Sequence, residues 1–206
     1  RHDGFHLLES VFSPIDLFDT ITISESDAIE CSVKNNLSHQ LNVDLTDNIC
    51  IKAAHLRREM VGIKAGCNVE IEKNIPIGGG LGGGSSDAAA TLKLLNELWN
   101  INLSSDALRN IAIKIGADVP FFIEPKTSFV CGIGENIEPI SLAKSFCLLL
   151  VNPNIHVSTA AVFRKGHFLY STPLSKNDLF TQVLSGNNAL ENNAIKMHPE
   201  IRACLD

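Results

Sequence analysis

Six of the seven residues from Gly78 to Gly84 are glycine, set between Asn74-Ile-Pro-Ile77 and Ser85-Ser-Asp-Ala-Ala-Ala90. A β-rich stretch leads into this run and an apolar-striped helix leads out of it. Glycine lets the main chain approach a ligand closely. The first turn of a helix adds unpaired N–H groups and the positive end of its dipole. Loop and helix together make a phosphate cradle. Gly/Ser-rich runs usually serve as flexible linkers, but this one is embedded between two ordered patterns and reads as a binding loop. Gly78, Gly80 and Gly83 formally satisfy G-x-G-x-x-G. A dinucleotide site also wants a second strand ending in an acidic residue about 20 positions on, and here that stretch is helical through Leu95 and Trp99. No lysine follows the glycines as a Walker loop requires, and the V-A-I-K, H-R-D and D-F-G elements of protein kinases are absent. What remains is a loop whose phosphate contacts come from backbone amides and from Ser85 and Ser86.

A second constellation is Ile115-Gly-Ala-Asp-Val-Pro-Phe121. Asp118 stands between a helix stop and a strand start, and Pro120 keeps Val119 from continuing the helix. An aspartate in a turn is most often structural, its carboxylate capping nearby amides. The upstream cradle changes that balance, because cradled phosphates and a fixed carboxylate are what phosphoryl transfer needs.

The elements that must position these groups follow from periodicity. Strands are expected at Phe5 to Phe12, Thr20 to Ser24, Ala28 to Val33, Leu41 to Leu45 and Cys67 to Glu72. Asp47 is expected to cap a helix with Ile49, Ala53, Leu56 and Met60 on its face. Ser85 or Ser86 is expected to cap the next, with Ala88, Leu92, Leu95 and Trp99 inward. Ser104 or Ser105 starts a third, with Leu108, Ile111, Ala112 and Ile115 inward and Gly116 at its stop. Short strands at Phe121 to Ile123 and Ser128 to Cys131 complete a first domain, residues 1–142. A second, 143–206, is expected to hold a buried strand at 146–151 and helices starting near Ser158, Lys176 and Leu190. The order is α+β.

With 206 residues, 45% apolar, 19% charged and a net charge of −6, the chain has an ordinary globular composition. Nothing in that charge points to nucleic acid or an anionic membrane surface, and no apolar run approaches the roughly 20 residues of a membrane helix. The six cysteines form no C-x-x-C pair and read as reduced core thiols of a cytoplasmic protein.

The loop Pro76-Ile-Gly-Gly-Gly-Leu-Gly-Gly-Gly-Ser-Ser-Asp-Ala-Ala89 resembles the second motif of the GHMP small-molecule kinases. Arg1-His-Asp-Gly-Phe-His-Leu-Leu-Glu-Ser10, Gly116-Ala-Asp-Val-Pro-Phe121 and Gly132-Ile-Gly-Glu135 are similar to the branch of that family whose acceptor is CDP-methylerythritol. The likeness runs from residue 1 to about 165. It implies a ribosomal protein S5 domain 2-like N-terminal domain and a ferredoxin-like C-terminal domain, the latter incomplete. ATP with Mg2+ would be the phosphoryl donor and the tertiary 2-hydroxyl of the CDP-linked substrate the acceptor.

By position, the resemblance makes Asp118 the catalytic base. It gives Pro76, Gly78, Gly79, Gly80, Leu81, Gly82, Gly83, Gly84, Ser85 and Ser86 to ATP, Ser86 being also the candidate metal contact. Phe5 would stack on cytosine, His6 would bond its edge, and Thr159 and Phe163 would line the cytidine side. Monomer and homodimer are both compatible with the family. The resemblance also implies a lysine beside Asp118 from a strand ahead of Arg1, and a third glycine-rich motif beyond Asp206, so the chain reads as a fragment expected to lack part of its machinery. Another GHMP kinase, for homoserine or a sugar, and a non-catalytic nucleotide-binding domain are the alternatives. Asp-Gly-Phe-His speaks against the first and Asp118 against the second.

Overall fold

The computed structural model describes residues 7–36, 48–141, 147–158, 161–163 and 185–205. The expected strand at Leu41 to Leu45, the cap at Asp47 and the helix near Lys176 lie outside these residues. Contacts gather into two units, one of Arg1–Pro14, Ile77–Leu81 and Lys126–Asp206, the other of Ile15–Pro76 and Gly82–Pro125.

In the second unit, alternation becomes three strands, β1 being reserved for the first unit's Leu8–Phe12: β2 (Thr20–Ser26), β3 (Ile29–Asn35) and β4 (Gly66–Lys73). Their order is β2-β4-β3. β4 runs antiparallel to β2, with Ile21 opposite Ile71 and Ile23 opposite Val69. It runs parallel to β3, with Cys31 opposite Val69 and Val33 opposite Ile71. One face thereby becomes apolar and packs with Cys50, Ala54 and Leu95 into one core cluster. A parallel pair requires a crossover, and helix α1 (Ile49–Val61) is part of it.

The cap of α1 is Asn48, whose side-chain oxygen accepts from the Cys50 N–H at 2.8 Å. Its buried face is Cys50, Ala53, Ala54 and Arg57, while Met60 is 46% exposed. The expected stripe is therefore rotated: small residues carry weak periodic signal, and buried Arg57 donates to Asn96 Oδ1 at 2.6 Å while its Nε and Nη1 have no partner among the described residues. Asn96 in turn accepts from Leu103 N–H at 2.9 Å and donates to Leu103 O at 3.2 Å. Asn48→Ala should cost about 1 kcal/mol by loss of the cap, read as a lower urea midpoint at unchanged m-value.

Helix α2 (Gly83–Leu98) buries Ala88, Leu92 and Leu95 as expected, and Trp99 is half-buried at its end. Helix α3 (Ser105–Ala112) is capped by Ser104, whose hydroxyl accepts from Ala107 N–H at 3.3 Å. Residues Val119–Ile123 form a 3₁₀ helix with Pro120 in its first turn, and not the expected strand. Val119, Pro120, Phe121 and Ile123 are all buried, so a nearly continuous apolar run held no period to tell strand from helix. Proline's fixed φ favours a helical start.

In the first unit, β1 (Leu8–Phe12), β5 (Ser128–Gly132) and β6 (Asn136–Pro139) form an antiparallel sheet in the order β1-β5-β6. The buried strand expected at 146–151 is not found: residues 147–151 carry no regular structure, and Leu149 is 90% exposed. An apolar run becomes a buried strand only when a neighbour pairs with it, and none among the described residues does. A helical turn at Ala161–Phe163 follows Ser158, whose carbonyl accepts from Ala161 and Val162 at 3.0 Å. Helix α4 (Glu191–Met197) starts after Leu190, and a second 3₁₀ helix covers Pro199–Cys204.

None of the six cysteines is in a disulfide. Cys50 and Cys67 are core residues, and burial pushes the Cys50 thiol up to about 12. Cys147 is exposed, against the expectation of a core thiol. Among the described residues no helix is long and apolar enough to cross a membrane.

Candidate active site

The first turn of α2 is where the glycine run becomes chemistry. Helix α2 begins at Gly83, two residues ahead of the serines expected to cap it, and no side chain among the described residues caps it. Its first internal hydrogen bond runs from Ser86 N–H to Gly82 O at 2.9 Å. The N–H groups of Gly83, Gly84 and Ser85 therefore have no intrahelical acceptor. Ser86 Oγ donates to Gly83 O at 2.8 Å, which ties the hydroxyl to this turn and leaves its oxygen lone pairs for a ligand.

Gly82 shows why the turn needs glycine. Its φ of 70° is left-handed, and a Cβ built there would stand 2.8 Å from Phe122 Cζ. Phe122 belongs to the 3₁₀ helix that starts directly after Asp118. Its ring packs edge-on against Phe121, with centroids 5.1 Å apart, so the segment carrying Asp118 is brought against the start of α2.

Asp118 is not a structural cap. It makes no side-chain bond to the 3₁₀ helix it precedes, and its carboxylate has no hydrogen bond or ion pair to the described residues. Although the residue is exposed, surrounding protein desolvates the carboxylate enough to raise its pKa above 3.8. A raised pKa makes it a better proton acceptor.

A buried charge cluster lies directly beneath the turn, and the sequence reading missed it. Lys73 Nζ donates to Asp87 Oδ2 at 2.8 Å and to Asp19 Oδ2. Asp19 Oδ1 accepts from the N–H groups of Asn74 at 2.6 Å and Ile75 at 2.8 Å. All three charged side chains are nearly inaccessible. Burial works against the Lys73 ammonium, but the bonds and charges of Asp19 and Asp87 outweigh it and hold its pKa above the usual value. Burial raises Asp87, with Asp19 adding to the rise and Lys73 opposing it. The available signal was an ionisable residue at an inward position of the β4 alternation, because Lys73 shares the face of Val69 and Ile71.

In the first unit, Val157 N–H donates to Gly78 O at 3.3 Å. The ring of His156 fills the space of a side chain on Gly78, where a Cβ would lie 2.2 Å from Nδ1. His156 was also missed, since nothing local in Asn152-Pro-Asn-Ile-His156 marks it. Gly79 and Gly80 are exposed, and Leu81 is half-buried, as is Pro76 of the second unit. Phe163 is half-buried in its helical turn. Phe5, His6 and Thr159 lie outside the described residues. The structure thus brings together Gly82, Gly83, Gly84, Ser85 and Ser86 with the segment of Asp118.

ATP and Mg2+ fit this donor set. Free amides at an uncapped helix start suit phosphate oxygens. Mg2+ usually keeps several waters and is held by one or two carboxylates and the nucleotide's own phosphates; the Ser86 hydroxyl offers one protein oxygen at this turn.

Residues 48–125 match the family model of the GHMP kinases N terminal domain. A protein of Chlorobaculum tepidum named 4-diphosphocytidyl-2-C-methyl-D-erythritol kinase is 44% identical over 180 residues, covering 84% of this chain and 60% of that protein. A protein of the same name from Shewanella denitrificans is 41% identical over 206 residues, covering 100% of this chain and 71% of that protein. A crystal structure of 4-(cytidine 5'-diphospho)-2C-methyl-D-erythritol kinase superposes with a TM-score of 0.70 at 28% identity, over 99% of this chain and 74% of that one. A homoserine kinase from Cytophaga hutchinsonii shares the fold, with a TM-score of 0.58 at 19% identity, over 91% of this chain and 62% of that one. The chain spans 56–62% of the length of several of the curated relatives it matches.

Proposed function

Because the chain belongs to the GHMP kinase family, in the branch named for 4-diphosphocytidyl-2-C-methyl-D-erythritol kinase, we propose that its reaction is the one those relatives are named for. The reaction moves the γ-phosphoryl of ATP onto the 2-hydroxyl of CDP-methylerythritol, a step toward isopentenyl diphosphate by the methylerythritol phosphate route. The observation that carries this reading is the uncapped first turn of α2, held through Gly82 and Phe122 against the segment of Asp118.

The amides of Gly83, Gly84 and Ser85 hold phosphate oxygens, with Ser86 Oγ assigned to the metal. Mg2+ supplies charge neutralisation when bound with ATP. Asp118 takes the proton of the acceptor hydroxyl as that oxygen attacks the γ-phosphorus, and the bond from that phosphorus to the β-phosphate oxygen breaks with ADP leaving. Catalysis of this kind is mostly positioning and electrostatics. Gly78 to Leu81 complete the ATP loop. Phe5 stacks on cytosine, His6 bonds its edge, and Thr159 and Phe163 line the cytidine side. Residues 1–142 form the ATP-binding domain and 143–206 part of the second domain, in a cytoplasmic protein.

The test is acceptor choice in the full-length protein. CDP-methylerythritol should be phosphorylated far faster than methylerythritol or homoserine, and Phe5→Ala should weaken acceptor binding about 5- to 150-fold, the worth of one base–aromatic stack, with ATP binding unchanged. Equal rates on the three acceptors would refute the cytidine assignment. ATP binding with no acceptor phosphorylated would make this a nucleotide-binding domain.

A further inference from the structure

We propose that Asp19, Lys73 and Asp87 are positioning residues for the phosphates of ATP, a role that rests on the kinase reading above. They fix the first turn of α2 from beneath.

The geometry has three links. Asp19 Oδ1 takes the N–H groups of both Asn74 and Ile75, which sets the path of the chain as it leaves β4 for the glycine run. The Ile75 side chain supports Gly83: a Cβ on Gly83 would come within 2.9 Å of Ile75 Cγ2 and 3.3 Å of Lys73 Nζ. Lys73 then reaches Asp87, one turn further along α2. The entry to the glycine run and the helix that follows it are thus joined through one ammonium group.

Stability alone is a poor reason for such a cluster. Burying ions costs more than it returns unless every charge is matched, and apolar replacements are often as stable. Here two carboxylates share one ammonium, so the charges are not matched. What the cluster does supply is fixed geometry under Gly83, Gly84 and Ser85. Precision at that place has a large lever, since a shift of about 1 Å in a positioned group can cost about 10²-fold in rate.

Asp87→Ala is the first variant, because it leaves Lys73 and Asp19 as a balanced pair and so favours folding. In the full-length protein it should raise KM for ATP about tenfold or more, with KM for the acceptor within about twofold and the unfolding midpoint no lower. Asp87→Asn still accepts a hydrogen bond from Lys73 and should bring KM for ATP back to within about threefold of wild type. Lys73→Arg keeps the charge but alters the geometry, so it reads positioning separately from folding. It should raise KM for ATP about fivefold or more.

An unchanged KM for ATP in folded Asp87→Ala overturns the proposal. If Asp87→Ala does not fold, an unchanged KM in Lys73→Arg does so instead. A merely structural cluster would lower the unfolding midpoint and the fraction of active protein while leaving KM for ATP alone. ATP titration of the wild type by calorimetry separates the two failures. Wild type that does not bind ATP defeats the kinase reading, whereas wild type and Asp87→Ala binding ATP equally well defeat only the positioning role.

Discussion

Replacing Asp118 with Asn in the full-length protein should lower kcat by about 10²-fold or more while leaving the affinities for ATP and acceptor little changed. Asparagine keeps the shape and the hydrogen-bonding reach of the side chain but loses its charge and nearly all its basicity. The structure sharpens this expectation, because the carboxylate does not cap the 3₁₀ helix it precedes. Removing its charge therefore removes no structural bond.

The pH dependence carries a further signature. Desolvation raises the Asp118 pKa above 3.8, and only the ionised form accepts a proton. Wild-type kcat should therefore fall on the acid side at a pH above that of an ordinary carboxylate, and Asp118→Asn should lack this limb. Stability runs the other way. The folded state binds the Asp118 proton more tightly than the unfolded chain does, so this group favours folding at low pH and loses that contribution as pH rises through its native pKa. Asp118→Asn should thus be at least as stable as wild type at neutral pH, by chemical denaturation. A change confined to KM would make Asp118 a binding residue, and near-full kcat would mean that positioning alone suffices.

How much of this was legible in the sequence depended on how local the determinant was. The alternation of β2 to β4 and a cap at one of Ser104 and Ser105 are set by neighbouring residues, and the structure has both; the glycine run also stands out locally, but α2 starts at Gly83 and not after a serine cap. Asp118 was located by its turn chemistry, although its freedom from capping was visible only in three dimensions. Lys73 escaped because its partners, Asp19 and Asp87, lie 54 and 14 residues away. A lone inward lysine at a strand end has no meaning until those carboxylates close around it. The same holds for His156 and Gly78, whose loops are joined by the bond from Val157 N–H to Gly78 O. The 3₁₀ helix after Asp118 was taken for a strand because burial on almost every residue erases the period. The run at 146–151, of which Leu148, Leu149, Leu150 and Val151 are exposed, reads as a buried strand because apolarity states a tendency to be buried and does not supply the neighbour.

Gly82→Val should abolish tight ATP binding, and a matched variant separates site damage from backbone strain. Gly82 and Gly62 share nearly the same left-handed conformation, with φ of 70° and 67°. A side chain in that region costs roughly 1–2 kcal/mol at either position. Their surroundings differ: a Cβ on Gly62 meets nothing within 4 Å, whereas one on Gly82 meets Phe122 Cζ at 2.8 Å. Gly62→Ala, at the end of α1, should lose about 1 kcal/mol of stability and bind ATP like wild type. Gly82→Val adds two further methyl groups between α2 and Phe122. Either the ring moves, and the segment of Asp118 with it, or the first turn of α2 unwinds. Both displace the amides of Gly83, Gly84 and Ser85 by an ångström or so, and ATP affinity should fall about 10²-fold. Calorimetric titration of the two folded variants decides it. Equal affinities would show that the phosphate site lies elsewhere than at this turn, and an equal loss in both would assign the effect to strain transmitted through the unit.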